Sequence, residues 1–366
     1  MDELRELRHH VEATEGRIEA HCAAMVEELK NPSAERDRGA VDDARHRVMI
    51  LRNDMRGLID RLDGAMRTLS LQTLPGRPAA EMREIAAVQT FLRGVRYRYL
   101  RWAQIDSAVQ RVLDWQGAPL LGAIPDPGTV AGQQLLATDA AFRRLHGFVN
   151  QAGQDDGAEA MGCFADIPLH ASAFAELAHA AMRVGLAQGR VGRQRFLDVG
   201  CGCGLKLIQA VQFFAEAHGV EYDPGYAAAA RQLIALAGCG REKVFEGDAL
   251  EFDDYGQYDV IYMYRPLKDE TLMTRLEDLI LTQAAPGTVV IAPYSGFQAQ
   301  PDRKACARIE GELYLVGATE AEAETLRTAA ERFLPANVPL ARDASAADSY
   351  LAPIIAACWL NGCLVT

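Results

Sequence analysis

The sequence predicts an α/β domain built on a parallel sheet and preceded by an all-α helical bundle. Two observations carry that expectation. From Arg195 onward, short apolar runs alternate with helical patterns, as parallel strands joined by crossover helices require. Before about Trp115, apolar residues recur instead at heptad spacing, as on packed helices. A length of 366 residues leaves room for more than one domain. The expected boundary lies near Asn150, with residues 1–150 a helical bundle and its connection, and residues 151–366 the sheet domain.

In the first region Leu4, Val11, Ile18 and Met25 recur every seventh residue, until "NPSAERDRG" (31–39) breaks the pattern with Pro32 and Gly39. Val41, Val48, Met55, Leu62 and Leu69 then interleave with Ala44, Leu51, Leu58 and Ala65, an apolar seam that "LPGRP" (74–78) stops. A third helix is expected from about Ala79 to Trp115. An antiparallel bundle buries such seams within one chain; a homodimer through the same helices buries them too, and both arrangements stay open. The run "RGVRYRYLRW" (93–102) interleaves Arg93, Arg96, Arg98 and Arg101 with aromatic residues. It suits a nucleic-acid contact or a helix face whose arginine stems cover apolar surface. Residues 1–150 hold 21 Lys/Arg and 21 Asp/Glu, and that neutrality favours the second. Residues 117–160, rich in Gly, Pro and Gln, read as a connection with one short helix near 136–149.

The net charge of −12 lies wholly in the remainder, which holds 17 basic and 29 acidic residues. Such a domain does not grip a phosphate backbone by bulk electrostatics, so no nucleic-acid partner is expected. No apolar segment approaches the roughly 18–20 residues of a membrane span, so no membrane partner is expected either. The start, "MDELRELRHH", alternates charge and lacks a signal pattern. Eight cysteines without regular spacing suit a reducing compartment, and the cytoplasm is the expected location.

The stretch "RFLDVGCGCGLKLIQ" (195–209) reads as a first strand with Asp198 at its carboxyl end, a turn through Gly200, Gly202 and Gly204, and a helix from Leu205. Glycines turn the chain tightly and leave room for a ligand to approach the backbone. A dinucleotide loop reads G-x-G-x-x-G and presents a helix N-terminus to pyrophosphate. Here the spacing is G-x-G-x-G and an acid precedes it, which suits a ligand bearing an ammonium group. Cys201 and Cys203 lie in the loop with no histidine near in sequence, a poor metal site, so no metal is expected. Cys358 and Cys363 flank "WLNG", whose Asn361-Gly362 is a hairpin-turn signal.

"FLDVGCGCG" resembles the first motif of the class I S-adenosylmethionine-dependent methyltransferases, and further stretches match in order from about 165 to 295. The resemblance implies a Rossmann-like sheet and S-adenosylmethionine as co-substrate, with Asp198, Gly200, Gly202 and Gly204 in its loop. It implies that Glu221, ending the strand of "GVEYD", takes the ribose hydroxyls and that Tyr222 packs on the adenine. Asp248 of "VFEGDAL" then meets the adenine amino group, and the Ala249 N–H a ring nitrogen. "YDVIYMYRPL" (258–267) is similar to the fourth strand and "APGTVVIAPY" (285–294) to the turn into the fifth. The residues after the fourth strand face the transferring group in this family. Members that methylate base amines commonly carry Asn/Asp-Pro-Pro-aromatic there, and Tyr264-Arg265-Pro266-Leu267 departs from it.

Candidate catalytic residues follow from that placement. Tyr262 and Tyr264 alternate along the strand, either toward the sulfonium or packed under the next helix. Arg265 fixes an acceptor carboxylate or makes a surface salt bridge. His170, in "CFADIPLHASAF", caps the following helix or accepts a proton. The function expected is methyl transfer to a small-molecule acceptor. The alternatives are transfer or cyclisation of the aminocarboxypropyl arm, and a non-catalytic helical interaction protein with a regulatory cofactor domain.

Overall fold

The computed structural model describes residues 2–31, 36–71, 78–115, 117–150, 153–167, 169–190, 192–238, 240–294, 296–297, 306–333, 350–361, 363 and 365. The chain packs as two compact units, Met1–Trp115 with Ala341–Thr366, and Gln116–Leu340. The division therefore falls after Trp115 rather than near Asn150. The connection belongs to the sheet unit because the buried guanidinium of Arg183 donates to the carbonyls of Ala118 (2.7 Å) and Pro119 (2.8 Å). No helix among the described residues is long and apolar enough to cross a membrane.

The helical unit is built from α1 (Asp2–Lys30), α2 (Arg38–Leu71) and α3 (Ala79–Asp114). Val41, Ala44, Val48, Leu51, Met55 and Leu62 of the α2 seam are buried. Its second half departs from strict heptads: Ile59 and Met66 are buried, whereas Leu58 and Ala65 are only partly covered. A straight α-helix drifts about 20° per heptad against a 3.5-residue repeat, so the covered stripe moves on by one position. The seam is consumed inside the unit, against α1 and α3. Within the arginine run, Arg98 is bidentate to Glu15 at 2.8 Å and Arg96 pairs with Asp63.

The sheet unit opens with α4 (Val130–Val149) and α5 (Asp156–Ala160), so the connection holds more helix than the single short one expected. Then come α6 (Ala171–Ala187), β1 (Arg195–Val199), α7 (Leu205–Ala210), β2 (Glu216–Glu221), α8 (Pro224–Ala237) and β3 (Glu242–Glu246). After them β4 (Val260–Met263), α9 (Glu270–Gln283), β5 (Val289–Ile291), β6 (Cys306–Glu310), β7 (Leu313–Val316) and α10 (Glu320–Ala330) complete the unit. The strand order is β3-β2-β1-β4-β5-β7-β6. The first five strands are parallel and β7 runs antiparallel to both β5 and β6. Strand order reverses between β1 and β4, where ligands of open α/β sheets bind.

Alternation along the strands gives each face its own core. Phe196 and Tyr262 pack with Phe174 of α6 on one face; Leu197, Val199, Ile261 and Met263 pack with Met273, Leu276 and Ile280 of α9 on the other. The remaining helix, α11 (Ala352–Leu360), belongs to the helical unit and buries Ile354, Ile355 and Cys358 there. The hairpin signal at Asn361-Gly362 is thus corrected. Asn361 ends a helix and donates to the carbonyls of Leu29 (2.9 Å) and Ala357 (2.8 Å), and Gly362 lies outside the described residues. The strands that close the sheet turn instead at Gly311-Glu312.

Gly204 caps α7 at φ +79°, and a Cβ there would stand 2.9 Å from Ala230 Cβ on α8. Gly204→Ala is expected to lower unfolding stability by about 1–3 kcal/mol, from left-handed strain and the lost approach of α8. Denaturant unfolding measures it, and an unchanged midpoint would show that α8 yields freely.

Candidate active site

A cavity of about 460 Å³ opens at the carboxyl ends of β1, β2, β4 and β5. Its floor is the glycine loop. Gly200 and Gly202 have φ of +79° and +53°, and a Cβ on Gly202 would fall 2.4 Å from the Asp166 carboxylate. Glu221 ends β2 and binds the loop: Oε2 accepts from the Gly202 N–H at 2.7 Å and Oε1 from the Asp223 N–H at 2.9 Å. Burial pushes the Glu221 carboxyl up to about 7 against the pull of those two amides. Asp223 caps α8 through the N–H groups of Gly225 and Tyr226, and its other oxygen accepts from the Asp155 N–H at 2.7 Å. Tyr222, Asp248 and Ala249 line the same wall, with Asp248 Oδ1 accepting from the Leu250 N–H at 2.8 Å.

The opposite wall follows β4 and β5. Tyr264, Arg265, Pro266, Leu267, Leu272 and Tyr294 line it. Tyr264 is 39% exposed, while Tyr262, one strand period earlier, is buried 5.1 Å from the Phe174 ring. The two tyrosines therefore part, because β4 ends at Met263 and the chain turns away. Arg265 turns it, with φ +48°, the one positive φ at a non-glycine among the described residues. Its guanidinium pairs with Glu270, while its buried Nε has no hydrogen-bond partner among the described residues. Tyr294 donates to Glu277, which is buried, at 2.6 Å.

Residues 161–167 cover the cavity. Cys163 bridges Leu267 antiparallel, the Phe164 N–H donates to Pro266 O at 3.0 Å, and the Lys268 N–H donates to Gly162 O at 2.7 Å. Met161, Phe164, Asp166 and Ile167 of this cap line the cavity. Asp166 Oδ2 accepts from the Cys203 N–H (3.0 Å) and Asn150 Nδ2 (3.2 Å) and lies 3.0 Å from His146 Nε2. Burial alone raises its carboxyl, but His146 and the Cys203 amide hold it below the ordinary range.

Eight of the residues expected from sequence thus meet at one cavity: Gly200, Gly202, Glu221, Tyr222, Asp248, Ala249, Tyr264 and Arg265. Three do not. Asp198 is buried behind the loop, where burial raises its carboxyl far above the usual range and the nearby Lys206 opposes the rise. It points to the α6 face with Phe196 and Tyr262, as strand alternation dictates. Gly204 serves helix packing, as described above. His170 sits at the N-cap position of α6 without a side-chain cap bond, with its side chain 62% exposed and Nδ1 3.9 Å from Asp139. The residues sequence reasoning missed are Asp166, Tyr226 and Tyr294. "CFADIP" offered a signal for Asp166, an acid in an apolar stretch just ahead of α6.

Residues 196–278 match the family profile described as a methyltransferase domain. The match lies inside the α/β unit, from β1 into α9. Solved structures similar to this chain include an RNA methyltransferase from Salinibacter ruber bound to S-adenosylhomocysteine, at 23% identity and TM-score 0.31, over 41% of this chain and 91% of that one. A methyltransferase from Thiobacillus denitrificans, also with S-adenosylhomocysteine, is similar at 17% identity and TM-score 0.28, over 41% of this chain and 54% of its own. A sugar N-methyltransferase from Streptoalloteichus is similar at 25% identity and TM-score 0.28, over 38% of this chain and 56% of its own. The chain thus spans little more than half of the latter two. A comparison with curated proteins finds no match.

The raised Glu221 carboxyl sets a pH dependence. A folded-state value above the ordinary 4.5 gives stability that is whole below about 4.5 and is lost as pH rises through about 7. Without ligand, Glu221→Gln is expected to gain on the wild type by up to about 3 kcal/mol between those limits. Thermal unfolding across that range measures the difference, and a flat difference would show that Glu221 titrates as in water.

Proposed function

We propose that the protein is an S-adenosylmethionine-dependent methyltransferase acting on a small-molecule acceptor. One observation carries the reading: a single cavity has the glycine loop, Glu221, Tyr222, Asp248 and Ala249 on one wall and Tyr264, Arg265 and Tyr294 on the other. Three carboxylates, Asp166, Glu221 and Asp248, line it against one guanidinium. That balance suits a ligand with sulfonium and ammonium charges and disfavours a pyrophosphate.

Each residue has a part in this reading. Both Glu221 oxygens accept one amide and keep a further lone pair for the ribose hydroxyls. Tyr222 packs against the adenine, while Asp248 and the Ala249 amide meet its edge. When bound, the co-substrate supplies an electrophilic methyl group. The chain then has to align an acceptor and exclude water. Tyr264 offers an aromatic face to positive charge, and Arg265 offers a fork for an acceptor carboxylate. The cap at 161–167 covers the cavity, whose volume falls in the range of roughly 300–1,000 Å³ usual for small-ligand sites. Both features support an acceptor that enters the cavity whole, not a duplex.

Calorimetry with S-adenosylmethionine and S-adenosylhomocysteine tests the first half. Glu221→Ala is expected to weaken both by about 1.5–3 kcal/mol, the range for hydrogen bonds to a charged group. Unchanged affinity would remove the ribose assignment, and tighter binding of a nicotinamide dinucleotide would remove the co-substrate. By-product analysis over a panel of small amines, alcohols, thiols and carboxylic acids tests the second half. S-adenosylhomocysteine is expected, whereas methylthioadenosine would mean that the aminocarboxypropyl arm moved. Tyr264→Phe and Arg265→Ala should lower turnover more than co-substrate affinity.

A further inference from the structure

Asp166 stands in an unusual setting beside the cavity. Its neighbours come from three separate parts of the unit: His146 near the end of α4, Asp166 itself from the cap, and Cys203 from the glycine loop. His146 Nε2 or Nδ1, an Asp166 carboxylate oxygen and Cys203 Sγ all lie within 4.8 Å of one another. Asn150, at the C-cap of α4, reaches the same carboxylate through Nδ2 at 3.2 Å. Its Oδ1 is buried and has no hydrogen-bond partner among the described residues. Nδ2 is the end of the amide that faces the carboxylate, and the Tyr226 side chain stands beside the same amide, so the candidate ligands are the other three side chains.

We propose that His146, Asp166 and Cys203 form a binding site for a zinc-class divalent ion. The ligand set decides the class of metal. Imidazole and thiolate are borderline and soft ligands that select zinc-like ions over magnesium or calcium, which take oxygen shells. Tetrahedral zinc holds its ligands at about 2.0–2.3 Å, hence roughly 3.5 Å from each other. The 3.0 Å separation of His146 Nε2 from Asp166 Oδ2 and the 4.8 Å limit on the group bracket that spacing. His146 and Asp166 are both mostly covered but not sealed, and Asp166 lines the cavity, which gives an ion a way in.

Binding is balanced in charge and protons. The Cys203 thiol gives up its proton to solvent as the sulfur–zinc bond forms, while Asp166 binds as the carboxylate and His146 as the neutral imidazole. One proton is therefore released per ion. The ion would tie α4 and the cap to the glycine loop, three segments that otherwise meet through hydrogen bonds at Asp166.

Zinc titration of the full chain against a chromophoric chelator tests the site without any acceptor, and so independently of the methyl-transfer reading. One Zn²⁺ per chain is expected, with one proton released, read from calorimetry in buffers of different ionisation enthalpy. Cys203→Ser and His146→Gln should each weaken binding at least tenfold, while Cys201→Ser, next to the cluster, leaves it unchanged. With Co²⁺ in place of zinc, a thiolate-to-metal absorption band should appear in the wild type and vanish in Cys203→Ser. Circular dichroism checks that each variant is folded; if Cys203→Ser is not, His146→Gln carries the test. No stoichiometric zinc, or zinc bound equally by the wild type and His146→Gln, would overturn the site and leave a hydrogen-bonded cluster around Asp166.

Discussion

The Glu221 carboxylate holds the sheet unit together at the edge that carries the cavity. One oxygen fixes the Gly202 amide and the other the Asp223 amide, so a single side chain joins the loop after β1 to the turn after β2. Asp223 extends the connection, because it caps α8 and also takes the Asp155 N–H at the start of α5. The cap over the cavity is thereby tied to the same strand ends as its floor. Burial makes the arrangement expensive in charge, and the rise of the carboxyl to about 7 is the measure of that expense.

Much of this was legible in the sequence, for physical reasons that differ from element to element. The central strands β4 and β5 announce themselves because both their faces are covered and each reads as an unbroken apolar run, whereas β1, β2 and the edge strand β3 carry charged residues among the apolar ones. The glycine loop is legible because positive φ at alternate positions admits few residues other than glycine. Asp198 and Asp166 show where legibility ends. Both are acids within a few residues of the loop in space. Strand alternation turns Asp198 away beneath α6, while the antiparallel bridge at Cys163 and Leu267 turns Asp166 inward. That bridge joins segments far apart in sequence, and nothing local announces it.

The two histidines make the same point. His170 immediately precedes α6, the helix that leads toward the fold's first strand, yet is exposed, whereas His146, on a helix assigned to a connection, reaches Asp166 beside the loop. Placement of α11 was illegible for a related reason. Asn361-Gly362 satisfies the chemistry of a tight turn, but asparagine followed by glycine equally ends a helix. The apolar burial of Ile354, Ile355 and Cys358 against the other helices decides between them. In α2, heptad spacing found the helix and the first half of its stripe. The drift to Ile59 and Met66 is a property of helix pitch rather than of any residue.

Arg265 has a further consequence for anyone engineering the chain. It holds a backbone conformation that costs an ordinary residue on the order of 1–2 kcal/mol, at a position where glycine would sit unstrained. Selection for yield, solubility or heat resistance would therefore favour Arg265→Gly, as would any design procedure scored on folding alone. In the proposed reading, the same change strips the acceptor wall of its one guanidinium. Fitness for folding and fitness for work pull in opposite directions at this residue, so a library ranked by thermostability would discard the chemistry first.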